Sequence, residues 1–243
     1  MHTHAIIFTA LFVANSASAE PRQRVVELPA AVAEKTDNLN SKFWLYLPTR
    51  YDEDDAKLPL IIFLHGSSKR GTDLERVKAN GMPPLLDKKE DWDFVVASPQ
   101  AGYKYAWQRC WRPDDIALLL AELLKSYRID PKRVYLTGLS MGGYGAWACA
   151  AAYPELFAAA VPICGGGELG WAEQYGELPI WAFHGADDYV VSVRRSQEMV
   201  TAINALGGKA KLTAYPGVGH DSFTQTYANP DMFAWLLRHS RRQ

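Results

Sequence analysis

The chain has 243 residues, 48% hydrophobic and 12% aromatic, with a formal net charge of −1. Such a composition is globular, and the length fits one domain of generous size. Without a long basic run, neither nucleic acid nor an anionic membrane surface is an expected partner, and the short C-terminal "RHSRRQ" reads as a solvated helix end.

Residues 1–19 stand apart. The apolar run "AIIFTALFVA" is followed by "ASA" at 17–19, although "MHTH" before it carries no Lys or Arg. A short apolar core with an A-x-A end is the pattern of a signal peptide, with cleavage expected after Ala19. The expected product is a secreted or periplasmic protein comprising a single domain over 20–243. No other stretch is apolar enough over the length of a membrane span, so no stable membrane anchor is expected.

The remainder alternates between strand-like and helix-like segments. "SKFWLYLP" (41–48) reads as a strand. "LPLIIFLHG" (58–66) is nearly continuous in apolar residues, as suits a strand covered on both faces of a parallel sheet, and "WDFVVASPQ" (92–100) is a second such run. "PDDIALLLAELLKSY" (113–127) predicts a helix with Pro113 near its start and two acids in the first turn. A strand follows at 133–138, then a helix from "MGGYGAWACAAAY" that stops at Pro154. "FAAAVPICGGG" gives a strand and a glycine-rich loop, and "LPIWAFHG" (178–185) another strand. Residues 192–206 place Met199, Ile203 and Leu206 on one helical face. "AKLTAYPG" (210–217) is the last strand, and the last helix opens with Asn229 as N-cap and Pro230 at its first position. This alternation predicts an α/β fold with a mostly parallel sheet.

In such sheets active sites lie beyond the carboxyl ends of the strands. Four segments fall there: "FLHGSS", "TGLSMGG", "FHGADDYVV" and "YPGVGHDSF". The second contains Gly138-x-Ser140-x-Gly142, the pattern that forces a serine onto a tight strand-to-helix turn. A serine hydroxyl needs a base, usually a histidine oriented by a carboxylate. Of the six histidines, His2 and His4 fall in the leader and His239 in the basic tail, while His65 and His184 each precede a glycine at a strand end. These last two read as structural. His220 alone follows the last strand in its own loop, and Asp187 and Asp188 lie between Ser140 and His220 in chain order. Asp221 reads as a brace for its own loop.

With these residues the chain resembles the α/β-hydrolases, specifically the phospholipase/carboxylesterase and dienelactone-hydrolase-like esterases, some called predicted peptidases. "FLHGSSKRGTD" (63–73), "GLSMGGYGAW" (138–147), "PICGGG" (162–167), "HGADDYVV" (184–191) and "GHDSF" (219–223) carry the resemblance, in order, over about 40–238. It implies the α/β-hydrolase fold without a large cap, Ser140 as nucleophile, His220 as base and Asp188 rather than Asp187 as the carboxylate. The backbone N–H groups of Met141 and Ser67 would form the oxyanion hole, although Ser68 and Lys69 stand where relatives often have a glycine and an acid.

The implied function is a serine carboxylic-ester hydrolase working through an acyl-enzyme, without cofactor or metal. Activity is expected to fall below about pH 6–6.5, near the ordinary histidine pKa. Short acyl esters, feruloyl or acetyl groups on polysaccharide and polyester fragments all suit an open cleft. The alternatives are a serine peptidase of the same fold and a non-catalytic binding protein that kept it. Trp107 and Trp111, in the loop before the 113–127 helix, fit either the core or an acyl- or aryl-binding wall. No C-x-x-C occurs among Cys110, Cys149 and Cys164, so a zinc site is not expected. Cys149 reads as a small buried residue, and Cys110–Cys164 is the pairing expected if export forms a disulfide.

Overall fold

The computed structural model describes residues 23–88 and 92–241; the expected leader lies outside the described residues. Its strands are β1 (Gln23–Glu27), β2 (Lys42–Tyr46), β3 (Leu58–Leu64), β4 (Val95–Ser98), β5 (Ile129–Leu139), β6 (Ala159–Ile163), β7 (Ile180–Gly185) and β8 (Ala210–Tyr215). The helices are α1 (Ala30–Ala33), α2 (Pro83–Leu86), α3 (Pro113–Ser126), α4 (Met141–Ala152), α5 (Arg194–Ala205), α6 (Ser222–Tyr227) and α7 (Pro230–Leu237).

All strands join one sheet in the order β1-β2-β4-β3-β5-β6-β7-β8. β1 and β2 pair antiparallel at one edge, and every pair from β4 to β8 is parallel. The all-apolar run of β3 is buried at every residue because helices cover both faces. Leu60, Ile62 and Leu64 face one core, with Ile116 and Leu119 of α3, Trp147 of α4 and Met199 of α5. Ile61 and Phe63 face the other, with Tyr227, Met232 and Leu236 of α6 and α7. This is the α/β-hydrolase architecture, with no large cap among the described residues.

From β3 the chain crosses to β4 on one side; from β5 it crosses to β6 on the other. Connections leaving adjacent strands in opposite directions open a crevice at their carboxyl ends. The loops after β3 and β5, carrying Ser67 and Ser140, flank it.

Two expectations are corrected. Cys110 and Cys164 do not pair: all three cysteines are free and buried. Cys110 sits in the core on one side of the sheet and Cys164 in the core on the other, so a bond between them would have to cross the sheet. Leu206 does not share the buried face of α5; the helix ends at Ala205 and Leu206 is 63% exposed.

Candidate active site

The serine turn is built by what surrounds it. A Cβ at Gly138 would stand 2.3 Å from the Gly142 carbonyl oxygen, and one at Gly142 would stand 1.9 Å from that of Leu64. Only glycine lets α4 leave β5 this closely. Ser140 takes φ 54° and ψ −116°, a conformation costly for a residue with a side chain, about 1–3 kcal/mol. Its N–H donates to the Ile163 carbonyl at 2.9 Å and meets Cys164 Sγ at 3.3 Å, which ties the turn to the end of β6.

Three side chains from different loops meet there. Ser140 Oγ lies 2.9 Å from His220 Nε2, and His220 Nδ1 lies 2.7 Å from Asp188 Oδ2. Nδ1–H therefore donates to the carboxylate, leaving Nε2 to accept the serine proton. Asp188 is buried and its Oδ1 accepts N–H bonds from Val190 and Val191 at 2.8 and 2.9 Å. Asp187 is exposed and points no bond toward His220. Asp221 caps α6, accepting from the Thr224 N–H at 3.2 Å.

Met141 is the first residue of α4, so its N–H has no acceptor within the helix. Ser67 opens the 3₁₀ turn Ser67–Lys69 in the same way. Gly66 presses this turn on the serine: a Cβ there would stand 3.7 Å from the Ser140 Cβ.

His65 and His184 are fully buried and hold loops. The Ala101 N–H donates to His65 Nε2 at 3.0 Å, and His65 Nδ1 faces the Gly66 carbonyl at 2.8 Å. Only the neutral Nδ1–H form satisfies both, and burial pulls its pKa down to about 4. His184 Nδ1 lies 2.8 Å from Ser196 Oγ, and Nε2 lies 2.9 Å from the Val191 carbonyl. Burial lowers its pKa as well. Burial likewise pushes the Cys164 thiol up to about 12, so it is not the nucleophile here. Among the described residues no group of three or more His, Cys, Asp or Glu is arranged to hold a metal, and no helix is long and apolar enough to cross a membrane.

The model of the family described as "Esterase: Putative esterase" matches residues 35–199. The chain belongs to this putative esterase family. It is 34% identical to the poly(3-hydroxyalkanoate) depolymerase C of Paucimonas lemoignei over 124 residues, covering 46% of this chain and 28% of that one. It is 25% identical to acetylxylan esterase A of Emericella nidulans over 180 residues, 65% of this chain and 55% of the other. The crystal structure of a thermostable esterase superposes with a TM-score of 0.73 at 32% identity, covering 90% of this chain and 63% of that one. The chain thus spans less than two thirds of each of these relatives.

Beside the serine turn of this esterase-family chain runs a groove of about 670 Å³. Of the two tryptophans that fitted either the core or a binding wall, Trp111 is buried in the core, 3% exposed, its Nε1–H donates to the His65 carbonyl, and it also lines the groove. Trp107 is half-buried and packs edge-on to Tyr144, with ring centroids 5.1 Å apart, rather than lining the groove itself. The others that line it, including Tyr144, Trp171, Arg109 and Arg195, were not singled out from sequence. They come from α4, the β6–β7 connection, the loop before α3, and α5. Only Tyr144, one turn beyond Ser140 on the same helix, carried a readable signal.

Proposed function

We propose that this protein is a serine carboxylic-ester hydrolase with Ser140 as nucleophile, His220 as general base and acid, and Asp188 as the orienting carboxylate. The hydrogen-bonded series Ser140–His220–Asp188 carries the reading. Ser140 Oγ attacks the ester carbonyl carbon as its proton passes to His220 Nε2. Asp188 holds His220 in the tautomer that accepts this proton and stabilises the imidazolium formed. The N–H groups of Met141 and Ser67 receive the oxyanion, each worth roughly 3–4 kcal/mol. The C–O bond to the alcohol then breaks and His220 returns the proton to that oxygen. Water repeats the sequence on the acyl-enzyme, releasing the acid and restoring Ser140.

The family match and the esterases among its relatives support ester rather than amide hydrolysis. Export, with cleavage after Ala19, and a single domain over 20–243 belong to the same proposal. The test is hydrolysis of p-nitrophenyl acetate, butyrate and octanoate and of methyl ferulate by the 20–243 protein, with Ser140→Ala alongside. Ester turnover that disappears in the variant supports the assignment. No turnover of any ester by a folded protein, or cleavage of matched amides in preference to esters, would overturn it in favour of a binding protein or a peptidase.

A further inference from the structure

We propose that the groove beside the serine turn binds a carboxylate-bearing saccharide chain, the alcohol side of the scissile ester. The inference rests on the ester-hydrolase reading of Ser140 and names the substrate class of that site.

Position comes first. Tyr144 lies four residues after Ser140 on α4, about 6 Å along the helix axis, and lines the near end of the groove. Gly166 brings Arg195 to the same end: a Cβ there would stand 2.8 Å from Arg195 Cβ and 3.3 Å from Tyr144 Cε1. An alcohol chain that extends from the ester at Ser140 toward this end of the groove would meet both side chains.

The groove's chemistry then selects the ligand. Tyr144 and Trp171 offer aromatic surface, on which the C–H faces of sugar rings pack. Arg112 is already engaged, 3.8 Å from Asp37 and over the Tyr105 ring, and the Asp114 carboxylate accepts from the Tyr153 hydroxyl at 2.6 Å. Arg109 and Arg195 have no ion pair with any described residue, and Glu168 is the one other carboxylate lining the groove. The lining thus carries three arginines, Arg109, Arg112 and Arg195, against the two carboxylates Asp114 and Glu168, a small excess of cations along an aromatic surface. A neutral, apolar polyester offers the exposed Arg109 and Arg195 guanidinium groups no partner. A uronate-containing chain pairs them through charge-assisted, bidentate bonds and leaves its hydroxyls for Glu168 and the Tyr144 hydroxyl.

The experiment compares kcat/KM on O-acetylated tri-galacturonate with that on a neutral O-acetylated xylotriose, for the wild type and the R109Q/R195Q variant. Because both substrates share the acetyl chemistry, their ratio isolates the alcohol side. The wild type is expected to favour the acidic substrate, with the ratio falling about tenfold or more in the variant, the scale of one lost charge-assisted hydrogen bond. Added salt should lower the wild-type ratio too. Equal kcat/KM on the two substrates, or a ratio the variant does not change, would overturn the proposal. Calorimetric binding of unacetylated tri-galacturonate to Ser140→Ala tests the groove independently of turnover. Binding there by a protein inactive on every ester would retain the groove and reject the hydrolase. Turnover of p-nitrophenyl acetate by the wild type without any tri-galacturonate binding would do the reverse.

Discussion

His184 Nε2 lies 3.2 Å from Asp188 Oδ2, the same oxygen that receives His220 Nδ1 at 2.7 Å. The carboxylate therefore takes the His220 N–H on one oxygen, with the His184 ring beside it, and two backbone N–H groups on the other. Ser196 Oγ, bonded to His184 Nδ1, also reaches the Gly165 carbonyl at 3.3 Å, and Gly165 packs against Gly143 behind the serine. His184 thus ties the acid loop back to the serine turn. His184→Phe should lower kcat on a short ester roughly tenfold to a hundredfold with KM little changed, the cost of losing the Val191 and Ser196 bonds and the polar contact beside Asp188. His184→Gln, which keeps a donor near the Nε2 position, should recover much of it. Equal losses in both variants, or a change confined to KM, would show that His184 serves packing alone.

The oxyanion assignment is separable from side-chain effects at Ser67. Gly66 has φ −78° and ψ 170°, the extended backbone that suits a residue before proline. Ser67 opens its turn, where proline's missing N–H breaks no internal bond. Ser67→Pro should therefore remove one donor while leaving the fold in place, and kcat should fall about 10²–10³-fold. Ser67→Ala, which keeps the N–H, should stay near wild type. A Ser67→Pro protein with wild-type kcat would show that the donor lies elsewhere.

The free cysteines give a stoichiometric prediction. Cys110, Cys149 and Cys164 are buried, and burial raises the pKa of each thiol. A thiol reagent such as DTNB should find essentially none in the native protein at pH 8 and three after denaturation without reductant. One reactive thiol under those denaturing conditions would mean that a disulfide forms after all.

The parallel core was legible because burial on two faces demands unbroken apolar runs, as in β3 and β6. β1 was not: Gln23–Glu27 is an edge strand, mostly exposed, and carries too few apolar residues to mark a face. α6 escaped as well, because "SFTQTY" is six residues without a clear stripe; only its cap, Asp221, showed. Ser140, His220 and the pair Asp187/Asp188 were readable because a strand's end places them. The choice of Asp188 came from the family resemblance, and burial agrees with it. The groove could not be read in this way. Arg109, Tyr144, Trp171 and Arg195 converge only in space, and nothing in their local sequence says that they share a wall.

His65 sets an acid-stability prediction. Its folded pKa, pulled down to about 4 by burial, lies below the unfolded value near 6.5. Between those values the unfolded chain binds a proton that the folded one refuses, so stability falls as pH drops from about 6.5 toward 4. Above pH 6.5 both states are neutral and the group contributes no slope. Linkage puts the loss between pH 7.5 and 5 on the order of 2 kcal/mol. Urea unfolding of wild type and His65→Asn at the two pH values should show their stability difference narrowing by about that amount at pH 5. In NMR the His65 ring of the native protein should not titrate over the same range. A ring that titrates near pH 6.5, or a stability difference constant with pH, would mean that the buried imidazole accepts its proton in place.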